Sequence, residues 1–351
     1  MQKHKKKEII IFCSAPGDIK PTLELLEIYK TKYTVNIVVT SSLNNYLFIK
    51  EKVSRDVTII FNKTLPLRVR DLIKPLIIRY KLNILFKSHF KQKTIYKAYI
   101  FCLQYDYSKL YFLSRIKLTH GICFIDNYSF GIKEKYIYKN FLKNFLITQF
   151  YNILLGVPCN IVEPISSPSE IVLQLPIEKF QIKIITLEKI NSTLPSRYFF
   201  NPKGNNDILL ILDKDTTDMM VSSIIDYDRG LKLLIRKLLN TNKTIYVKNH
   251  PNYVRNIIDS ELGMEKSLKI LPNEIPIELI NLYSYKIIFG IISISLANAT
   301  IMNDNIFSLL DLLPFRDNSF YKNYLKKNSD NKVKFIKNMD EFDKVLSKCV
   351  A

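Results

Sequence analysis

The chain has 351 residues, 47% of them hydrophobic; this is a globular composition, long enough for two domains, and it excludes a disordered protein. Its 52 Lys and Arg residues outnumber 32 Asp and Glu for a formal net charge of +20, which favours nucleic acid, an anionic membrane face or acidic glycans as partners. Cys13, Cys102, Cys123, Cys159 and Cys349 show no metal-ligand spacing and read as reduced thiols of a cytoplasmic protein.

The opening "MQKHKKKEIIIFCSAPGD" has the basic start of a secretory signal. Its apolar run is too short for the core of one, and it reads as a lead-in to a first buried strand. No stretch approaches the ~18 uncharged apolar residues of a transmembrane helix, so the expectation is a soluble or peripheral protein. "EIIIFCS" (8–14) predicts that strand, "PTLELLEIYKTKY" (21–33) an amphipathic helix with Pro21 in its first turn, and "TVNIVVT" (34–40) a second strand. "VTIIFN" (57–62) predicts a third strand, followed by a basic helical stretch to about residue 100. "AYIFCLQ" (98–104) fits strand or helix, "GICFIDN" (121–127) a strand ending in polar residues, and 135–155 an aromatic-rich helix.

"NSTLPSRYFFNPKGNND" (191–207) is a linker by its Pro, Asn and Ser content, and the alternation restarts after it. "ILLILD" (208–213), "TIYVK" (244–248), "SLKIL" (267–271) and "YKIIFG" (285–290) predict strands; 219–240, 275–283 and 294–303 predict helices. Strands alternating with helices in two halves describe an α/β protein with parallel sheets. The expected organisation is two facing Rossmann-like domains with a cleft between them, over 1–195 and 205–316. Residues 317–351 form a helical segment expected to return to the first domain.

Four features fall at predicted carboxyl ends of second-half strands, where open α/β sheets bind ligands. They are Lys248-Asn249-His250-Pro251, "LPNEIPIELI" (271–280) with Glu278, "FGIISISLANA" (289–299) with Ser293 and Ser295, and "LDKDTTD" (212–218). Each has a plainer role: a strand-ending turn at His250, a first-turn carboxylate at Glu278, N-caps at Ser293 and Ser295. The first three together could line one nucleotide pocket, with hydroxyls and helix amides on a phosphate, the histidine on the next strand end and a carboxylate on ribose. Neither GxxxxGK[ST] nor GxGxxG occurs. Asp213-Lys214-Asp215 is the nearest approach to a metal-holding Asp-x-Asp.

The order K-x-H-P, then P-x-E-L, then a serine cluster after a short apolar strand resembles bacterial lipooligosaccharide sialyltransferases of glycosyltransferase family 52 and the related capsule polysialyltransferases. The resemblance covers most of 205–300 and one short stretch of the first half. It implies the GT-B fold and an inverting transfer of sialic acid, or a related nonulosonic acid, from a CMP-activated donor to a bacterial surface glycan such as lipooligosaccharide, O-antigen or capsule. It implies no required metal and no other cofactor. The family's catalytic base lies in an acidic pair followed by glycine, and "CFIDNYSFGI" (123–132) is the corresponding stretch. Asp126 matches the second acid, Ile125 replaces the first, Asn127 replaces the glycine, and Ile294 splits the usual adjacent serines.

On this reading Asp126 is the base for the acceptor hydroxyl, and His250, held by Pro251, protonates the departing phosphate. Ser293 and Ser295 hold that phosphate, Lys248 lies near base or phosphate, and Glu278 takes the ribose hydroxyls. Such an electrostatic cradle can stand in for a metal. His120 and Asp106 also fall near strand ends and are alternative bases or acceptor contacts, whereas His89 reads as surface and His4 as part of a mobile tail.

The expected partners are the nucleotide-sugar donor, a glycan acceptor and an anionic membrane, met by the Lys-aromatic stretches 87–97 and 132–143. The expected place is the inner face of the cytoplasmic membrane. Nucleic acid is not expected, since no binding module is evident. The competing readings are a GT-B enzyme using another nucleotide sugar and a non-catalytic protein that binds polyanions or membrane surfaces. The sequence leaves the oligomeric state open.

Overall fold

A computed structural model of the chain describes residues 8–30, 35–53, 56–63, 73–90, 94–101, 107–126, 141–158, 160–162, 172–174, 182–186, 194–201, 207–213, 220–250, 258 and 260–350. The chain divides into two compact units, Met1–Leu194 and Pro195–Ala351.

In the first unit the elements run β1 (Glu8–Phe12), α1 (Ile19–Tyr29), β2 (Val35–Thr40), α2 (Leu43–Lys52), β3 (Val57–Phe61), α3 (Lys74–Phe90), β4 (Thr94–Ile95) and β5 (Lys97–Ile100). Then come α4 (Tyr107–Leu113), β6 (Lys117–Leu118), β7 (Ile122–Asp126), α5 (Phe141–Leu155), β8 (Asn160–Val162), β9 (Val172–Gln174) and β10 (Lys183–Thr186). Six strands form a parallel sheet in the order β10-β7-β5-β1-β2-β3. Ile9 to Phe12 of β1 are buried on both faces, as a central parallel strand requires.

The second unit runs β11 (Asp207–Ile211), α6 (Ile224–Leu239), β12 (Ile245–Lys248), α7 (Ser260–Gly263), β13 (Leu268–Ile270), β14 (Tyr285–Gly290) and α8 (Ile294–Ala299). It ends with β15 (Ile306–Ser308), α9 (Asn318–Asn328), β16 (Lys334–Phe335) and α10 (Met339–Val350). Its parallel sheet has the order β13-β12-β11-β14-β15-β16. In both sheets the first strand is central, two successors lie on one side, and the chain then crosses to the other. This is the 3-2-1-4-5-6 order of a Rossmann sheet. Two such units in tandem are the domain content of the GT-B class.

Helix α6 shows how the sequence writes an element. Ser223 caps it by accepting from Asp226 N at 3.2 Å, Asp226 lies in its first turn, and Arg236 and Lys237 lie in its last. Cap and charges both suit the helix dipole. Tyr227, Leu231, Leu234, Ile235 and Leu238 make the buried stripe that covers β11 and β12.

Two expectations are corrected. The predicted helix over 275–283 is a pair of short 3₁₀ turns, Ile277–Leu279 and Leu282–Ser284. Its main chain is used elsewhere: Phe200 N donates to Leu279 O at 2.8 Å and Asn281 N to Phe200 O at 3.0 Å. An α-helix would need those groups for itself. The segment 317–351, expected to return to the first domain, is instead built into the second unit. Its strand β16 pairs with β15, and Phe342 and Leu346 are buried in the second unit's core.

Candidate functional site

The strand order puts the switch point of the second sheet between β11 and β14, whose following segments leave toward opposite sides. The register pairs Ile211 with Lys248 and Leu210 with Phe289. Asp213 and His250 therefore each stand two residues past the same rung, and Ile292 is level with Asp213. The structure thus gathers Lys248, His250, Glu278, Ser293 and Ser295 at the carboxyl edge of one sheet. Pro251 lies outside the described residues.

Asp213 occupies the switch point. Its side chain is buried (7% exposed), and Oδ2 accepts from Ile292 N at 3.1 Å. Burial pushes its carboxyl up to about 7, while the backbone amides of Ile292 and Ser293 pull the other way. Tyr324 of α9 lies near enough for the charge of Asp213, after burial, to raise its phenol. The segment that Asp213 grips is also held from β15, because Ser308 Oγ donates to Ile291 O at 2.7 Å and Leu309 N to Gly290 O at 2.8 Å.

Gly290 lets α8 close over this strand end, since a Cβ there would lie 2.9 Å from Leu296 Cδ1. Ser293 is the N-cap of α8, and its Oγ accepts from Ser295 N at 3.2 Å. The hydroxyl and amides expected to meet a phosphate are therefore engaged in part by the protein itself, and the Asp213 carboxyl already accepts from the Ile292 amide there. In the sequence Asp213 stands within the polar strand-end stretch "LDKDTTD" and as the first acid of Asp213-Lys214-Asp215. A clearer signal was available: "ILLILD" is an apolar strand that ends in a lone carboxylate. Asp215 lies outside the described residues, and among those described no group of three or more His, Cys, Asp and Glu could hold a metal.

Lys248 is buried rather than presented to a ligand, at 3% exposure. Its Nζ donates to Asn249 O at 2.9 Å and Asn273 O at 3.3 Å, tying the end of β12 to the segment after β13. Burial lowers its ammonium to about 8, against the opposing charges of Glu274 and Glu278. Glu278 is half-buried in the first 3₁₀ turn, with buried Pro276 before it. Beside the lysine the side-chain oxygens of Asn249 and Asn273 are buried with no hydrogen-bond partner among the described residues. Two such acceptors at one sheet edge are costly unless a donor completes them. His250 follows Asn249 directly and is half-buried.

In the first unit Asp126 is the last residue of β7, paired in register with Thr186 of β10. Ile125, standing where the resembled family has its first acid, is fully buried. An ionised carboxylate there would be a buried charge, so the departure is compatible with the packing. Asn127 and Asp106 lie outside the described residues. His120 is exposed, its ring on Tyr96 at 4.0 Å between centroids and its Nδ1 at 3.1 Å from Thr119 Oγ1. His89 is half-buried at the end of α3, and His4 is not described.

No family model and no curated protein matches the chain. Among solved structures it is similar to the S. aureus MnaA–UDP structure, at 10% identity over 99% of this chain and 88% of that one, with a TM-score of 0.48. It is also similar to E. coli heptosyltransferase WaaC with ADP, at 10% identity over 97% and 99% of the two chains, TM-score 0.44. The UDP-GlcNAc 2-epimerase from Neisseria meningitidis bound to UDP-GlcNAc matches at 12% identity over 98% and 91%, TM-score 0.43. The likeness is one of chain architecture and assigns no residue a role.

Proposed function

We propose that the chain is a nucleotide-sugar-dependent glycosyltransferase whose second unit binds the donor at the β11/β14 switch point. The donor we assign is a CMP-activated sialic or related nonulosonic acid, and the acceptor a bacterial surface glycan. The observation that carries the reading is the convergence of Lys248, His250, Glu278 and Ser293 at one sheet edge, beside two buried amide oxygens that have no partner among the described residues. A nucleotide brings hydroxyl and amino donors that could satisfy such oxygens.

The places of these residues in the fold support the following roles. His250, two residues past the end of β12, is the group that protonates the departing phosphate. Lys248 acts from beneath: by binding the Asn249 and Asn273 carbonyls it fixes the turn that carries the histidine. Glu278 receives ribose hydroxyls. Ser295, whose hydroxyl is not the cap of α8, contributes to the phosphate, with Ser293 shaping the helix start. Asp126, ending a strand of the first unit, is the base for the acceptor hydroxyl. The displacement proceeds with inversion: the acceptor oxygen bonds to the anomeric carbon, CMP departs with the electron pair, and Asp126 takes the hydroxyl proton.

Thermal-shift titration with CMP, UMP, GMP and AMP, with and without magnesium, tests this reading. Stabilisation by CMP that ignores magnesium and disappears in His250→Ala is expected, as is loss of transfer activity by about 10²–10⁴-fold in that variant. A preference for UMP would keep the fold and overturn the donor. Equal protection by every nucleotide, collapsing with salt, would indicate simple polyanion binding.

A further inference from the structure

A surface helix normally buries one apolar side and shows a polar one. Helix α3 is apolar on two opposite sides. Leu82 and Phe90 are buried in the first unit's core, with Ile78, Leu85 and Phe86 packed against it. Leu76, Ile77, Tyr80 and Ile84, with Ile73 just before the helix, are exposed, Ile73 to 71% and Tyr80 to 67%. At 3.6 residues per turn these five fall in a stripe about 100° wide, opposite the buried one.

Helix α5 repeats the pattern. Tyr151 and Leu155 are buried, whereas Leu146, Phe150 and Ile153, spaced four and three residues apart, are exposed, Ile153 to 75%. Arg79 of α3 joins the two helices by donating from Nη1 to Ile153 O at 3.3 Å and Leu154 O at 3.5 Å. The two outward stripes thus belong to neighbouring helices of one unit. Neither helix contains an acidic residue, while α3 carries Lys74, Arg79, Lys81 and Lys87.

We propose that the outward face of α3 and α5 docks on an anionic lipid bilayer, with the helix axes in the plane of the membrane. An apolar stripe this large calls for a partner, and the charges around it choose one. Two copies meeting through this face would bring like charges together with no carboxylate on either helix to answer them. A bilayer with anionic headgroups answers both features. The apolar side chains enter the boundary of headgroups and acyl chains, and the lysine stems lie along the apolar surface with their ammonium groups among the phosphates. No described helix is long and apolar enough to cross a membrane, so this contact lies along the surface. The proposal is independent of the donor assigned above. It also differs from the sequence expectation, which looked to 87–97 and 132–143; most of 132–143 lies outside the described residues.

Cosedimentation of the full chain with vesicles provides the test, using phosphatidylcholine alone and phosphatidylcholine with phosphatidylglycerol. The chain is expected to sediment with the anionic vesicles and not the neutral ones. Ile77→Glu with Ile84→Glu should lower the partition by about tenfold or more, and Lys81→Glu with Lys87→Glu should lower it comparably. All four side chains are exposed, so unchanged thermal unfolding should accompany the loss. Replacing Tyr283 and Ile301, exposed apolar residues of the second unit, by Ser should leave binding intact. Equal partition of the wild type and the Ile77→Glu/Ile84→Glu variant would overturn the proposal, as would no binding at all. Lipid-free self-association abolished by the same pair would give the face to a second copy and overturn it equally.

Discussion

Both units place a buried aspartate after their first strand, in sheets of the same order, and employ it differently. Asp18 follows β1 and grips its own loop: Oδ2 accepts from Ser14 N and Ala15 N, each at 2.8 Å. Asn45 of α2 adds a bond from Nδ2 to Ala15 O at 2.9 Å. Asp213 follows β11 and reaches across the sheet edge to Ile292, 79 residues away. The first carboxylate closes a local turn, whereas the second holds two strand ends together at the switch point. A local clasp is part of a unit's stability. A clasp across the sheet edge ties two distant segments together and, on the proposed function, couples stability to whatever binds there.

The largest expected effect separates the two roles. Asp18→Ala leaves the Ser14 and Ala15 amides without their acceptor at the end of a buried strand, at a cost of about 2–4 kcal/mol. Calorimetry should show that cost in the first unit, with the two units allowed to unfold separately. Nucleotide protection of the second unit should be unchanged. If protection is lost while the second unit's transition stays intact, the division between local and cross-edge clasps is broken.

The next effect depends on pH. The carboxyl of Asp213 is raised from 3.8 to about 7 by burial, so the native state holds its proton where the unfolded chain has released it. Its contribution to stability is full below about pH 4 and is lost as pH rises through 7. The shift corresponds to at most about 4 kcal/mol, and relaxation of the surroundings lessens it. Asp213→Asn keeps the shape and an oxygen for the Ile292 amide but carries no charge. Its Tm relative to wild type should climb between pH 5 and 8 and level off above. Parallel profiles for the two proteins would show that Asp213 is not charged against its surroundings.

How far the sequence revealed this site depends on distance along the chain. The four β-strands that carry it, β11 to β14, stand out as apolar runs bounded by polar residues. The K-x-H-P turn, Glu278 and the serines could be ordered along the chain without knowing the sheet. The 275–283 segment misled because "IPIELINLY" spaces its apolar residues as a helix does, while the bond pair with Phe200 that prevents one involves a residue far upstream. β15 and β16 are too short to signal themselves, at three and two residues. The grip of Asp213 on Ile292 has no local signature, because it depends on the crossing of the chain from β13 to β14. The second apolar face of α3 was present in the sequence. It was hidden by the first, since two opposite apolar stripes cancel the periodicity that marks an amphipathic helix.

The smallest effect decides whether Ser293 is more than a cap. Ser293→Ala removes the bond from Ser295 N to Ser293 Oγ and should cost about 1 kcal/mol, the usual worth of a helix cap. That loss alone would say nothing about a ligand. Ser293→Asp separates the two roles, because aspartate caps as well as serine but adds a negative charge. If a donor phosphate approaches this helix start, Ser293→Asp should recover the stability that Ser293→Ala lost and still weaken CMP binding by about tenfold, through repulsion. The repulsion should ease as pH falls toward 5, where Asp213 has taken up its proton and leaves one anion fewer at the edge. Recovery of stability and binding together would leave the phosphate to His250 and Ser295, and would make the α8 start, like the Asp18 loop, a purely structural closure.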